Sequence, residues 1–295
     1  MSGPDSNARV AVFEAHRRHL TGLAYRMLGS LAEAEDAVQE TYLRWHRADR
    51  ASIDNPRAFL SKVVTRIALD QLKSARVKRE SYVGPWLPEP VLDSAAFEAE
   101  TASEYAQDLS VALMLTLERL TPLERAAFLL HDVFDLDFAA IAEALGRDAA
   151  ACRQLAARAR VHVRAARPRF APTRDEAGRL TEAFRRAVRS GDVHGMAELL
   201  AADAVLYTDG GGKRLAALNP IHGADKIARF FAGVVGKTPE IDVWRVRPAQ
   251  INGLPGFIYA EPDGALQTAA FDLRDGRIAA IYLVLNPDKL QRVAF

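Results

Sequence analysis

The most informative segment lies at residues 136–164 and reads LDFAAIAEALGRDAAACRQLAARARVHVR. Apolar residues recur at helical spacing on both sides of Gly146, which predicts two short helices joined by a turn that needs a left-handed backbone. Asp148 is placed to cap the second helix. The predicted outer face of that helix carries four long polar side chains: Arg153, Gln154, Arg158 and Arg160. Such a helix-turn-helix suits the major groove of DNA, where arginine reads guanine and glutamine reads adenine; a helical hairpin with a solvated arginine face is the alternative.

A second helical block precedes this segment, over residues 8–80. Gly29 and Ser30 interrupt its apolar pattern, and Asn55-Pro56 begins a further helix, since proline suits a first helical turn. The middle helix has a polar, acidic edge and the next helix has a basic outer side. Taken alone, each of them fits an ordinary solvated helix face. The polar edge comprises Glu33, Asp36, Gln39 and Glu40, and the basic side includes Lys62 and Arg66.

Prolines separate the two helical blocks. Residues 84–90 read GPWLPEP, and the three prolines predict an extended, stiff segment. After the second block the pattern changes to mixed helix and strand, and Asp275-Gly276 indicates a hairpin because its turn needs positive φ at both central positions. Helices followed by a curved antiparallel sheet predict an α+β cone there. The expected domains are 8–80, a linker at 81–102, 103–168 and 169–295.

Bulk composition narrows the possible classes of protein. The 295 residues suit two or three small domains, and 49% of them are hydrophobic. No apolar run approaches the roughly 20 residues of a membrane span, and the short polar N-terminus lacks the apolar stretch of a signal peptide. Net charge is only +1, yet basic residues cluster at 62–79 and 147–169, and local fields decide where a polyanion docks. With Cys152 as the single cysteine, we expect a protein of the bacterial cytoplasm with no disulfide framework, metal, cofactor or membrane partner.

Several motifs in fixed order resemble the extracytoplasmic-function (ECF) sigma factors of the sigma-70 family. Residues 23–29 (LAYRMLG), 34–45 (AEDAVQETYLRW) and 55–60 (NPRAFL) resemble their region 2. The segment from Leu120-Thr121-Pro122-Leu123-Glu124-Arg125 through Arg160 is similar to their region 4. The resemblance implies two all-α modules, a region 2 bundle and a region 4 helix-turn-helix, that direct RNA polymerase to specific promoters.

Three further motifs resemble a SigJ-type subgroup of these factors, in which a SnoaL-like domain of the NTF2-like fold is fused to the C-terminus. They are WLPEP (Trp86, Leu87, Pro88, Glu89, Pro90), DGGGK (Asp209, Gly210, Gly211, Gly212, Lys213) and NPDKL (Asn286, Pro287, Asp288, Lys289, Leu290). The linker motif and the two C-terminal motifs suggest a docking surface, and our hypothesis is that this domain regulates the factor intramolecularly, in place of a separate anti-sigma protein. Tethering makes such docking effective, since a short linker gives an effective concentration of about the mM range.

The resemblance also implies roles for individual residues. Asp36, Gln39 and Glu40 would bind the clamp helices of the largest subunit of RNA polymerase. The loop at 47–55 and the helix after it would recognise the −10 element, with Arg57, Lys62 and Arg66 on phosphates. The helix at 148–164 would occupy the −35 major groove, with Arg153, Gln154, Arg158 and Arg160 as its DNA-binding side chains.

Two other functions fit parts of the sequence. In one, the helix-turn-helix belongs to a one-component regulator whose cone senses a metabolite, and such a regulator would bind its operator without polymerase. In the other, the cone is a SnoaL-like isomerase or hydrolase that uses an aspartate or histidine for acid–base chemistry. The candidates for that role are Asp209, His222, Asp242 and Asp272, for which a surface or interface role is favoured. We expect no enzyme activity, and a small-molecule ligand in the cone stays open.

Overall fold

The computed structural model describes residues 4–49, 53–80, 82–92, 108–165, 173–238 and 243–295. The chain forms two compact units, Met1–Glu80 with Ser94–Arg167 and Ser81–Asp93 with Pro168–Phe295. Residues 82–92 therefore belong to the C-terminal unit, whereas the sequence predicts a separate linker at 81–102. The predicted boundaries at 102/103 and 168/169 lie outside the described residues.

The N-terminal half of the first unit, which the sequence predicts to be region 2 and which we call the region 2 half, is a bundle of three helices; the other half, predicted to be region 4, is called the region 4 half. Gly29, with φ of +71°, ends the first helix, and the Ser30 side chain caps the second by accepting a hydrogen bond from the Glu33 amide. The bundle core consists of apolar side chains from all three helices, such as Phe13, Leu20, Val38, Trp45 and Leu60. Its helices are α1 (Pro4–Leu28), α2 (Leu31–Arg47) and α3 (Pro56–Glu80).

The region 4 half contains the predicted helix-turn-helix. Gly146 adopts φ of +63° at the end of one helix, and the Asp148 carboxylate accepts a hydrogen bond from the Ala151 amide at 2.7 Å at the start of the next. Thr121 and Glu124 form a reciprocal capping box upstream. The helices are α4 (Val111–Arg119), α5 (Pro122–Phe128, continued by a π turn at Leu129–Val133), α6 (Phe138–Leu145) and α7 (Ala149–Ala165).

The C-terminal unit packs three helices against one curved sheet. Its core includes Phe184, Met196, Phe271 and Ile281. The helices are α8 (Arg174–Ser190), α9 (Val193–Leu199) and α10 (Ala224–Lys237). The strands are β1 (Leu200–Asp209), β2 (Ile221–His222), β3 (Arg245–Ile251), β4 (Leu254–Ala260), β5 (Leu266–Arg274) and β6 (Arg277–Val284), in the order β2-β1-β6-β5-β4-β3.

The sheet differs from the predicted antiparallel one at one edge. Strand β1 follows α9 without a break and pairs in parallel with β6, while the other neighbouring strands are antiparallel. Helix α10 therefore lies between strands in the chain rather than before all of them. The predicted turn at Asp275-Gly276 is confirmed, with φ of +52° and +71°, and Asn252-Gly253 makes the same kind of turn between β3 and β4. In the described part of the chain, every helix is too short or too polar to cross a membrane.

We predict that Gly146→Ala lowers the free energy of unfolding of the first unit by about 1–2 kcal/mol, because a left-handed backbone strains a side chain. An added Cβ would meet no atom within 4 Å, so the cost comes from φ rather than from a clash. Gly146→Asn is the control and should cost less, since asparagine enters this conformation more easily. Urea titrations followed by hydrogen exchange of the α6 and α7 amides measure the free energy of unfolding of both variants. Equal losses of stability in the two variants would contradict the interpretation that the left-handed backbone causes the loss.

Candidate functional sites

Helix α7 presents the predicted polar face to solvent. Cys152 is fully buried on the opposite face, whereas Arg153 and Gln154 are exposed in the first turns. Arg158 pairs with Glu124 at 2.7 Å and Arg160 with Asp132 at 2.5 Å, so two of the four predicted side chains are held by carboxylates of the same half. Among the described residues, the part of this face that carries no ion pair is therefore the N-terminal part of α7.

The polar edge of α2 also faces solvent. Asp36 and Gln39 are exposed, and Glu40 is half-buried and pairs with Arg44 at 3.0 Å. On the opposite side Val38 and Trp45 are buried in the bundle. The three residues implied in polymerase binding thus share one accessible surface.

The three basic residues implied in −10 binding all donate to the region 4 half. This arrangement brings α3 against the end of α6, where the last carbonyl groups of a helix lack intrahelical donors. Hydrogen bonding by Lys62 lowers the pKa of Glu143. Arg57 donates to the Phe134 carbonyl at 3.2 Å, Lys62 pairs with the Glu143 carboxylate, and Arg66 donates to the Ala144 and Glu143 carbonyls at 3.1 and 2.8 Å.

A partly buried histidine, His19, lies at the junction of the two halves. One ring nitrogen of His19, Nε2, is 2.8 Å from Ser61 Oγ, and the ring packs edge-on against Phe134 at 4.8 Å between centroids. Burial, and then the positive charges of Arg57, His16 and Arg26, lowers the pKa of His19 to about 3. His19 is therefore neutral in the folded protein at physiological pH.

Asp209 is the centre of the second site. It ends β1 with 0% of its surface exposed, and its two carboxylate oxygens accept three hydrogen bonds. The Tyr82 hydroxyl donates to Oδ1 at 2.6 Å, while the Leu87 amide and Lys289 Nζ donate to Oδ2 at 2.8 and 2.7 Å. We call Tyr82, Leu87, Asp209, Asn286 and Lys289 the Asp209 latch.

The other latch residues reinforce this arrangement. Asn286 Nδ2 donates to the Tyr82 hydroxyl at 2.9 Å, and Lys289 Nζ donates to the Leu87 carbonyl. The Lys289 ammonium also lies over the Trp86 ring, 4.4 Å from its centroid. Burial, and then the hydrogen bond to Asp209, raises the pKa of Tyr82 well above its usual range, so this hydroxyl stays protonated.

Two further contacts bind residues 82–92 to the C-terminal domain. Glu89 is buried and pairs with Arg292 at 3.1 Å. Val91 and Asn252 exchange two hydrogen bonds, from the Val91 amide to Asn252 Oδ1 at 3.1 Å and from the Asn252 amide to the Val91 carbonyl at 2.7 Å. No sequence motif singled out Tyr82, Asn252 or Arg292, and only the proximity of Tyr82 to the WLPEP motif gave a signal.

Close packing explains the glycines of the DGGGK motif. A Cβ on Gly210 would lie 2.2 Å from the Arg214 carbonyl oxygen, and one on Gly211 would lie 2.2 Å from Asn286 Nδ2. Gly211 also has φ of +59°, which disfavours a side chain. Lys213, by contrast, pairs with Asp288 at 2.6 Å on the exposed surface, so the two lysines of the motifs have different environments.

The three acid–base candidates among the described residues, Asp209, His222 and Asp272, have different environments. The Asp209 carboxylate already accepts the hydrogen bonds of the latch, His222 is exposed and Asp272 is half-buried. Asp242 lies outside the described residues. The domain contains a cavity, and of the acidic and histidine side chains described only Glu261 lines it. Glu261 accepts hydrogen bonds from Arg214 and Gln267 there.

Comparison with known proteins assigns the helical modules. Residues 12–77 match the family Sigma-70 region 2, and residues 110–163 match the family Sigma-70, region 4. The first unit therefore has the architecture of a sigma-70-type transcription initiation factor.

Whole-chain relatives extend this result. The chain is 40% identical over 293 residues to the ECF RNA polymerase sigma factor SigJ of Mycobacterium tuberculosis (strain ATCC 25618 / H37Rv), covering 95% of this chain and 92% of that protein. The crystal structure of M. tuberculosis SigJ matches with a TM-score of 0.74 and 39% identity, over 95% of this chain and 98% of that one. An NTF-2 like protein of unknown function from Burkholderia xenovorans LB400 covers 38% of this chain and 84% of its own, with a TM-score of 0.28 and 13% identity.

The chain belongs to the ECF RNA polymerase sigma factors and is similar to SigJ over almost its whole length, including the C-terminal α+β domain. It is a sigma factor for promoter-specific initiation, and the family implies RNA polymerase and promoter DNA as its partners. The resemblance and the fold class predicted from the sequence are thus confirmed. Membership in a family of transcription factors also favours a non-enzymatic role.

We predict that acid destabilises the first unit through His19. The unfolded chain takes up a proton below about pH 6.5, whereas the folded protein does so only near pH 3. The free energy of unfolding should therefore be highest above pH 6.5 and fall between pH 7 and 5. His19→Gln should flatten this slope, and His194→Gln, at an exposed position on α9, should leave it unchanged. Urea unfolding at pH 7 and pH 5, followed by hydrogen exchange of the α1 amides, measures this pH dependence. An equal change in the free energy of unfolding in wild type and both variants would refute the prediction.

Proposed function

We propose that the C-terminal domain regulates this sigma factor intramolecularly by binding residues 82–92 through the Asp209 latch. The observation that carries the proposal is that the WLPEP, DGGGK and NPDKL motifs supply residues to one buried cluster around Asp209. Residues 82–92 join region 2 to region 4 in the chain. Because this segment is covalently continuous with both modules, its noncovalent attachment lets the domain restrict how far the two modules can separate.

Region 4 reads the −35 element in this mechanism. Arg153 and Gln154 are exposed on α7, and Arg153 forms no ion pair with another described residue, so both are suited to base edges. Arg158 and Arg160 already pair with carboxylates and are suited to phosphates once those pairs exchange. Gly146 and the Asp148 cap fix the angle at which α7 enters the major groove.

Region 2 binds core polymerase and the −10 element. Asp36, Gln39 and Glu40 provide an accessible acidic surface for a basic partner, the clamp helices. Arg57, Lys62 and Arg66 bind the phosphates of the −10 region, but only after they release the region 4 half. The arrangement with these three side chains engaged is therefore a closed state that has to open for initiation.

The domain acts in cis, so this sigma factor requires no separate anti-sigma protein. The latch is formed by residues of one chain, and a short tether raises their effective concentration to about the mM range. Domains 8–80, 103–168 and 169–295 then act as two DNA-binding modules and one regulatory module, with 82–92 as the docking segment.

We predict that Arg153→Ala weakens binding of the holoenzyme to its promoter by about 1–3 kcal/mol, because a bidentate base contact is lost. The loss should depend on the −35 sequence and disappear on a promoter with a scrambled −35 element. His162→Ala, also exposed on α7, is the matched control and should have a smaller effect. Fluorescence anisotropy with labelled promoter fragments measures all three proteins, and an equal loss on both promoters would argue against −35 recognition by this residue.

We predict that Lys289→Met increases promoter-specific transcription several-fold in a reconstituted reaction, because removing one partner of a buried ion pair costs about 3–5 kcal/mol and opens the latch. Lys213→Met is the matched control, since Lys213 and its partner Asp288 are both more than half exposed, and an exposed pair contributes only about 0–1 kcal/mol. Transcript yield with core polymerase and a cognate promoter is the measurement. Equal yields from wild type and both variants, together with an unchanged yield on deletion of residues 286–295, would end the proposal.

A further inference from the structure

The C-terminal domain contains a cavity that the proposed latch does not use. Its volume is about 720 Å³, within the range of roughly 300–1,000 Å³ usual for small-molecule sites. Helices α8 and α10 and the inner face of the sheet form its walls, and the lining is mainly apolar. Aromatic side chains dominate this lining: Phe184, Phe231, Trp244, Tyr259 and Phe271.

Two apolar side chains at the cavity are left in contact with water. Leu215 is 97% exposed and Val234 is 37% exposed, although both line the cavity. Burial of such side chains is favourable by about 25 cal/mol per Å² of apolar surface. An apolar ligand would supply the surface that covers them.

Basic side chains outnumber acidic ones in the lining of the cavity. Five basic side chains line it, against Glu261 as the single acidic one among the described residues. Arg214 and Gln267 already occupy the Glu261 carboxylate. The basic set is Arg185, Arg189, Arg214, Arg229 and Lys237. Arg185 and Arg229 pair with Glu182 and Asp225 outside the lining, and basic groups still outnumber acidic ones when these partners are included. This surplus of positive charge favours a ligand with an anionic head.

Tyr259 adds a hydrogen-bonding group to the lining. Burial raises the pKa of its hydroxyl well above the usual range, so the group stays neutral. Within the described part of the chain, its hydroxyl has no hydrogen-bond partner. It can therefore donate to a ligand oxygen without breaking an existing bond.

The cavity wall is continuous with the latch. Thr208 and Leu285 line the cavity, and their chain neighbours are Asp209 and Asn286. The Leu285 and Asn286 amides both donate to the Asp209 carbonyl, at 2.8 and 2.9 Å. Thr208 also exchanges hydrogen bonds with Ala217, and a Cβ on Gly84 would lie 3.6 Å from the Ala217 carbonyl oxygen. A ligand that packs on this wall thus fixes the backbone that carries the latch.

We propose that this cavity binds an anionic amphiphile, a small molecule with an aliphatic or aromatic body and one carboxylate, and that its occupancy tightens the Asp209 latch. The binding step stands on the cavity alone. The effect on the latch rests on the regulatory role proposed above, and it makes the factor responsive to a metabolite.

Calorimetric titration of the full-length chain with decanoate tests the binding step. We expect one site per chain and an affinity at least about tenfold above that of decyltrimethylammonium, which has the same chain and the opposite charge. Arg229→Glu should weaken decanoate binding about tenfold, because this exposed arginine lines the cavity. Arg274→Glu is the matched control, an exposed arginine of the same domain outside the cavity, and should bind as wild type does.

Equal affinity for the two amphiphiles, or an equal loss in both arginine variants, would overturn the anionic site, since only general hydrophobic or charge effects would remain. If decanoate does not bind and the chain self-associates through this face, a second copy of the chain occupies the cavity. That result would overturn the proposal of a small-molecule ligand.

Hydrogen exchange of residues 82–92 tests the coupling without any transcription assay. Saturating decanoate should slow exchange of the Leu87 and Val91 amides several-fold, because Leu87 donates to Asp209 in the latch and Val91 donates to Asn252 of the same domain. Arg229→Glu should lose this protection at the same decanoate concentration. Unchanged or faster exchange in wild type with confirmed binding would overturn the coupling while leaving the site itself in place.

Discussion

The buried Asp209 carboxylate is the group on which the C-terminal unit depends. A carboxylate with no access to water loses several kcal/mol of hydration, and this loss is tolerable only where charge and hydrogen bonds replace the water. Of the three donors to its side chain, Lys289 comes from the domain itself, while Tyr82 and Leu87 come from the segment before region 4. The domain therefore needs residues 82–92 to satisfy its own interior, and binding of that segment is part of its stability.

A related constraint operates between the two halves of the first unit. Arg66 donates to the carbonyls of residues 143 and 144, at the C-terminal end of α6, where the helix dipole is negative. Lys62 pairs with the Glu143 carboxylate close by. A DNA phosphate is also negatively charged, so it offers the Lys62 and Arg66 side chains an alternative hydrogen-bond acceptor. In the proposed mechanism, packing of the two halves and phosphate binding by these residues exclude each other.

Much of the secondary structure could be predicted from local sequence patterns. The Gly146 turn, the Asp148 cap, the Ser30 break and the Asp275-Gly276 hairpin depend on interactions within a few residues, and the sequence displays those directly. Strand β1 was not predicted, because it follows α9 without a turn residue and its alanines fit a helix as well. The partners of Asp209 lie more than 75 positions away in the chain, so the motifs indicated that docking occurs there without indicating which atoms meet. The contacts of Arg57, Lys62 and Arg66 could not be predicted for the same reason, since their partners also lie far away in the chain.

The free energies of the two ion pairs indicate which contacts open first. Lys62–Glu143 is a surface pair, with 69% of the Glu143 side chain exposed, and such pairs contribute about 0–1 kcal/mol. The Lys289–Asp209 pair is buried, and losing one partner costs about 3–5 kcal/mol. In the proposed mechanism, DNA and polymerase therefore replace the contacts within the first unit at little cost, whereas the latch persists unless something acts on the C-terminal domain. On that mechanism the promoter complex governs opening of the modules, and the C-terminal domain with the proposed cavity ligand governs release of residues 82–92.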